Sequence, residues 1–355
     1  MPIWSLAVPV VAALLLVLSF LLAASTPLLL LAGVALMGAV LASVHHAEVI
    51  AHKVGEPLGT LVLALAVTVI EVALIVTLML AGGAGAAAVA RDTVFSAIMI
   101  ICTGVVGLCL LLGGWRHREQ SFRVEGAHAG LSALVALAGL TLVLPTFTTS
   151  TSGGTYSTSQ LMFAGAASLA LWLAFVFVQT VRHRDYFLPR EDPSNHEVHA
   201  EPPSAGQTWA SLGLLVVSLV SVIGLAKVLS PTIERVVDQA GAPKAVIGVV
   251  IALLVLLPET VAAIRAALAN RLQTSLNLAF GSALASIGLS IPAVAVVSVW
   301  LGLPLQLGIE GKDLVLLMLT FAVAIMTVAD GRTTVMQGAV HLVMFAAFLF
   351  LTLVP

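Results

Sequence analysis

Apolar runs of about 20 residues, separated by short polar breaks, recur along the whole chain; such runs predict helices that cross a ~30 Å hydrocarbon layer. Eleven spans fit, at roughly 3–24, 27–50, 58–80, 93–114, 126–145, 160–181, 208–229, 243–267, 273–300, 312–329 and 334–354. A membrane barrel would show short alternating strands instead, so the expected fold class is an all-α integral membrane protein. The first run has no Lys/Arg-rich start and outlasts a usual signal-peptide core, so it reads as a retained helix.

Setting that first helix aside leaves five spans, a polar link and five more. Five is odd, so the second set enters the membrane in the opposite orientation, and inverted-topology repeats follow from the count. The expected divisions are an extra N-terminal helix over 1–25, a first repeat over 26–181, a cytoplasmic linker over 182–207 and a second repeat over 208–355. Basic residues give the orientation. Lys53, Arg116, Arg118, Arg123, Arg182, Arg184, Arg190, Arg265, Arg271 and Arg332 fall on one side, against Arg91, Lys227, Arg235, Lys244 and Lys312 on the other. Ten against five places the N-terminus in the cytoplasm and the C-terminus outside.

Composition narrows the class further. With 60% hydrophobic and 9% charged residues among 355, there is almost no water-facing mass to hold soluble enzyme chemistry. A net charge of -2 provides no basic surface for nucleic acid, so the lipid bilayer is the expected partner. Cys102 and Cys109 lie seven apart in one apolar span, a spacing that disfavours a bridge within a helix, and read as small buried hydrophobes.

Against this apolar background, Glu71 and Glu259 stand alone inside two spans, each second in its five-span set. A carboxylate at that depth is expensive and marks a functional site by default. Matched acids in duplicated halves suit a midplane cation site of a secondary transporter. Thr68, three residues before Glu71, shares its helical face. Pro258 removes a helical hydrogen bond just before Glu259 and is expected to kink the helix and free carbonyl oxygens. Two facing carboxylates would match a divalent cation, and without it would raise one another's proton affinity. A lone membrane glutamate can instead simply bond to a neighbouring helix.

Secondary ligands are available in the spans that follow each acid. Asn277, Gly281, Ser282, Ser286 and Gly288 supply oxygen atoms and close approach after Glu259, as Ser96, Thr103 and Gly104 do after Glu71. A small-residue packing seam is the competing reading of both. A further cluster, His45, His46, Glu48, His52 and Glu56, suits an entrance or proton-transfer role, or else an interfacial hydrogen-bonded patch. The linker's His183, His196 and His199, with Glu191, Asp192, Glu197 and Glu201, could hold a divalent cation weakly, but read first as a solvated tether. Asp330 and Arg332 are expected to fix a short helix–helix turn.

At these residues the chain resembles the calcium/proton antiporters of the cation/calcium exchanger superfamily, particularly the bacterial branch, from the His45–Gly59 segment to His341. Glu71 and Glu259 match that family's two cation-binding, proton-accepting glutamates. Gly281 and Ser282 match its Gly-Ser step, and DGRTTVMQG at Asp330–Gly338 is similar to its terminal signature. The sequence departs from the family at Val67-Thr68 and Val255-Leu256, where Gly-Asn is common, and at Ile100-Ile101 in place of Gly-Ser. The resemblance implies exchange of calcium for protons through metal contacts at Glu71, Glu259, Thr68, Thr103, Asn277, Ser282 and Ser286. Sodium or potassium exchange is the alternative, with a channel behind it. No resident cofactor is implied, and a homo-oligomer is compatible with the chain without being argued by any residue.

Overall fold

A computed structural model of the chain describes residues 2–22, 25–55, 58–82, 85–188 and 203–354. Eleven helices run through the described residues: α1 Ile3–Leu21, α2 Thr26–Val54, α3 Leu58–Ala81, α4 Ala86–His117, α5 Val124–Phe147, α6 Thr158–Arg182, α7 Ala205–Gln239, α8 Ala245–Leu268, α9 Leu272–Leu301, α10 Gly311–Ala329 and α11 Val335–Leu353. Ten of them are long and apolar enough to cross a membrane on length and composition, and α3 adds 24 strongly apolar residues. The protein is therefore a multi-pass, all-α membrane protein. Its helix ends follow local rules: Ser157, Ser204 and Thr334 form capping boxes with Gln160, Gln207 and Gln337, and Gly302 closes α9 in the left-handed conformation at φ 66°.

The largest departure from expectation is α7, 35 residues long where a span over 208–229 is predicted. Pro231, Glu234 and Arg235 suggest a break, yet the helix continues through them. At about 1.5 Å per residue it greatly outruns the hydrocarbon layer, and water can satisfy the carbonyl that Pro231 leaves without a donor. Arg235 turns back onto the Pro231 carbonyl at 3.1 Å.

Packing divides the chain into two units that both draw on the two halves of the sequence, residues 1–86 with 196–244 and residues 87–195 with 245–355. In the first unit α2 packs against α1, α3 and α7. Small residues set the spacing: a Cβ on Gly38 would touch Val8, and one on Gly224 would overlap Leu16. Ser5 and His46 are fully buried there. The Ser5 carbonyl accepts from His46 Nε2 at 2.9 Å, and His46 Nδ1 lies 3.2 Å from the Ser211 hydroxyl.

In the second unit α4 is the central helix, with 89% of its most apolar window buried, against 22% for α11. Gly104, Gly107 and Gly114 line one face of α4 and admit α11, while Gly338 of α11 lies against the Leu111 backbone. Three helices of this unit contain wide, π-helical stretches, at Ile100–Val105, Gly139–Val143 and Val178–Arg182. Tyr156 closes over the second of these by donating to the Leu140 carbonyl at 2.7 Å, and burial pushes its phenol pKa up.

Loops of this unit gather into two belts. In one, β1 (Glu119–Ser121) pairs antiparallel with β2 (Arg332–Thr334), with Gln120 opposite Thr333. His117 Nε2 and Gln120 Nε2 meet the last carbonyls of α8, Leu268 and Ala267, each at 2.9 Å. In the other belt the Gln306, Gly308 and Ile309 amides donate to the Ala87, Gly154 and Leu142 carbonyls at 2.9, 2.8 and 3.0 Å. Lys312 reaches the Leu351 carbonyl at 3.0 Å, placing the end of α11 at this second belt. Within this unit the even-numbered helices thus exit at the first belt and the odd-numbered ones at the second, as the span count requires. The little sheet was not expected. Arg332 pairs with Glu119 at 3.3 Å across it, so this arginine ties two loops together.

Candidate functional site

Each unit carries one of the two acids. In α3, Glu71 is 2% exposed and Thr68 7% exposed, so both lie among the buried side chains of that apolar helix. Their 3-residue separation places them on the same side of it. Pro258 lies within α8, which remains helical through it, and Glu259 follows half-buried. A prolyl nitrogen has no proton to give the carbonyl four residues back, here that of Leu254.

Glu259 lines a small cavity. Its walls are Leu256 and Thr260 of α8, Ile101 and Val105 of α4, and Ala279 and Ser282 of α9. A glutamate, a threonine and a serine therefore line one space together with four apolar residues. The Thr260 hydroxyl donates to the Leu256 carbonyl at 2.7 Å, which leaves its oxygen lone pairs available. Ser286 is buried one helical turn beyond Ser282. A carboxyl group with hydroxyl neighbours suits a hard cation or a proton and offers nothing to soft metals.

The remaining expected ligands have other engagements. Thr103 is fully buried within the wide turn of α4, and its hydroxyl donates to the Met99 carbonyl. Asn277 gives its amide to the Phe187 carbonyl at 2.5 Å and accepts from Gln273 at 2.9 Å, fastening the end of α6's trailing segment to α9. In the histidine cluster, His46 points both ring nitrogens at protein partners, while His45 lies beside Trp4 at 5.0 Å between ring centroids. Glu56 lies outside the described residues, as do Arg190, Glu191, Asp192, His196, Glu197, His199 and Glu201 of the linker. His183 stacks on Tyr186 at 4.9 Å. No cluster of three or more His, Cys, Asp or Glu suited to a metal is found among the described residues.

Two residues near the site were not anticipated. Thr260 follows Glu259 directly and is visible as a polar side chain in an apolar run. His341, fully buried on α11, contacts the wide turn of α4 through the Cys102 carbonyl at 2.7 Å. A lone histidine in an apolar span is legible in the sequence, but its partner 239 positions away is not.

Comparison with known proteins gives the family of the chain and the likeness of its fold. The profile of a family described as sodium/calcium exchanger protein matches residues 24–181 and 210–354. The chain is 52% identical over 335 residues to the putative ionic transporter y4hA of Sinorhizobium fredii, covering 93% of this chain and 90% of that one. It is 36% identical over 323 residues to the sodium-potassium/proton antiporter ChaA of Escherichia coli, covering 90% and 87%. Its fold matches the crystal structure of the Ca2+/H+ antiporter protein YfkE with a TM-score of 0.75 over the whole of both chains, at 16% identity. A profile that spans both halves, together with relatives aligned almost end to end, means that this chain belongs to the sodium/calcium exchanger protein family, within the bacterial branch of the cation/calcium exchanger superfamily of transporters.

Proposed function

We propose that the protein is a secondary antiporter that exchanges calcium for protons across the bacterial cytoplasmic membrane, with Glu71 and Glu259 alternately holding cation and proton. The observation that carries this reading is the Glu259 cavity, which Glu259, Thr260 and Ser282 line together between apolar helices. A carboxylate at that depth is stable when it is either protonated or paired with a cation. Both states leave the site electrically satisfied, and an empty, ionised site is the costly one. Competition between the two ligands then couples their movement, as inward- and outward-open forms alternate around the acids.

Within this proposal Ser282, which lines the Glu259 cavity, is the first supporting oxygen donor, and Thr68, Thr103, Asn277 and Ser286 are the further proposed ligands. The helix count divides the chain as 1–25, 26–181, 182–207 and 208–355, with the first helix outside two inverted repeats. The N-terminus faces the cytoplasm, because nine of the ten basic residues on the richer side belong to the last turns of α4, α6 and α8 or to the loops following α4, α6, α8 and α10, with Lys53 the tenth.

The charge of two carboxylates supports calcium. The 36% identity to a sodium-potassium/proton antiporter, over most of both chains, favours a second reading in which a monovalent cation is exchanged through the same acids. One experiment separates them. The purified protein is reconstituted in vesicles, and internal pH is followed as calcium, sodium or potassium is added outside, with Glu71→Gln and Glu259→Gln in parallel. Cation-dependent proton movement in the parent, absent from both variants, establishes antiport and ranks the ions. Folded parent protein that moves no protons with any ion removes the proposal.

A further inference from the structure

The wide turn of α4 forms part of the Glu259 cavity, since Ile101 and Val105 lie within Ile100–Val105. In that turn the Val106 amide is shared between the Ile101 carbonyl, five residues back, and the Thr103 carbonyl, passing over Cys102. An α-helical Val106 amide would instead serve Cys102. The Cys102 carbonyl is thus displaced from the ladder in a fully buried position, where a missing donor is costly. His341 supplies that donor from α11 at 2.7 Å.

The chemistry fixes the tautomer. A carbonyl oxygen can only accept, so the proton sits on His341 Nδ1. Nε2 of the neutral ring then accepts from the Thr327 hydroxyl at 2.9 Å. Gly107 makes the approach possible, because a Cβ there would press against the His341 and Leu342 side chains at 3.0 Å. Thr327, His341 and Cys102 therefore form a chain from α10 through α11 to the widened backbone of α4.

We propose that His341 is a positioning residue for the exchange site: by holding the Cys102 carbonyl out of the α-helical ladder it keeps the turn wide, and so places Ile101 and Val105 against Glu259. Without the Nδ1 donor, the Val106 amide returns to Cys102 and the turn tightens. The two cavity walls then rotate out of position while Glu259 itself is untouched. This inference rests on the antiport reading above and adds a residue that does not contact the ion.

The test is steady-state exchange in vesicles for the parent, His341→Asn, His341→Leu and Thr327→Val, with calcium, sodium and potassium each titrated as the driving ion. Asn carries an amide N–H at the position of imidazole Nδ1, whereas Leu fills space without a donor. His341→Leu is expected to raise the KM for the driving ion about tenfold with maximal rate within about twofold, as expected for a lost site-shaping hydrogen bond. His341→Asn is expected to return KM to within about threefold of the parent, and Thr327→Val to shift it in the same direction as Leu by a smaller factor. Equal KM in parent and His341→Leu overturns the proposal, and so does an Asn variant no better than Leu when both elute as folded protein. A folded parent without exchange overturns the antiport reading and this proposal together, whereas an active parent with indifferent variants overturns this proposal alone.

Discussion

His46 of α2 donates its Nε2 proton to the Ser5 carbonyl of α1 at 2.9 Å, and that carbonyl is the one Pro9 deprives of its helical partner. The histidine therefore completes the hydrogen bonding of a proline-interrupted helix from outside it. Replacing His46 with Leu should cost about 1–3 kcal/mol, the usual cost of a buried acceptor left unserved. In a Pro9→Ala background the backbone regains an N–H at that position that can serve Ser5, so the same replacement should cost less. Thermal unfolding of the two single variants and the double variant measures the difference, and purely additive effects would contradict the assignment.

Membership of the Glu259 cavity should rank the oxygen donors. Ser282→Ala is expected to raise the cation KM by about three- to tenfold, the loss of one uncharged ligand. Thr103→Val and Asn277→Ala should raise it less, because their polar groups already serve Met99, Phe187 and Gln273. Ion titrations of proton flux in vesicles give the order directly, and an Asn277→Ala effect exceeding that of Ser282→Ala would reverse it.

The two loop belts make a labelling prediction. Cys102 and Cys109 are buried, so new cysteines can be read against a quiet background. Cysteines introduced at Glu119, Arg184 and Arg332 should react with a membrane-impermeant maleimide from one side, and one at Thr155 from the other. With the proposed orientation, intact cells label only the Thr155 position, and inside-out vesicles label the other three. The reverse pattern would invert the protein in the membrane while leaving the belts intact.

The sheet between β1 and β2 contains a buried and an exposed bond of very different worth. Arg332 and Glu119 are 69% and 54% exposed, so Arg332→Ala should change stability by less than about 1 kcal/mol. Gln120 is 3% exposed and bonds to Ala267 and Asn270, so Gln120→Ala should cost about 1–3 kcal/mol. Parallel thermal melts in detergent decide between this ordering and its reverse.

Tyr156 sets a limit at high pH. A phenol pKa raised by burial means that the folded protein keeps its proton longer than the unfolded chain does. The associated stability is present below about pH 10, the ordinary tyrosine value, and falls as pH rises through the folded value. Tyr156→Phe should flatten that decline, which melting temperatures measured across the alkaline range would detect.

Much of this architecture was legible from apolar run length alone, because hydrocarbon thickness constrains helices more tightly than propensity does. Nine observed helices closely follow their expected spans, α4 begins seven residues before its expected start, and α7 departs because the helix runs on through Pro231, where water can complete the backbone. Glu71 and Glu259 were legible because a charge in an apolar run is conspicuous. Partners across the fold were not: nothing local to His341 indicates Cys102, and nothing in EQS or RTT indicates that two three-residue segments more than 200 positions apart will pair. Such pairings depend on which loops reach the same belt, a property of the assembled unit.

The wide turns in α4, α5 and α6 also change how those helices should be read. One extra residue per widened turn advances the helix phase by about 100°, so the side chains beyond it face directions that a uniform helical wheel would misassign. Residues on either side of Ile100–Val105 that share a stripe on such a wheel belong to different surfaces of the real helix. Comparing α4 with α9, which the proposed repeat division pairs with it and in which no wide turn is found, therefore requires a one-residue gap at the turn, and substitutions transferred between the two by simple counting would land on the wrong face.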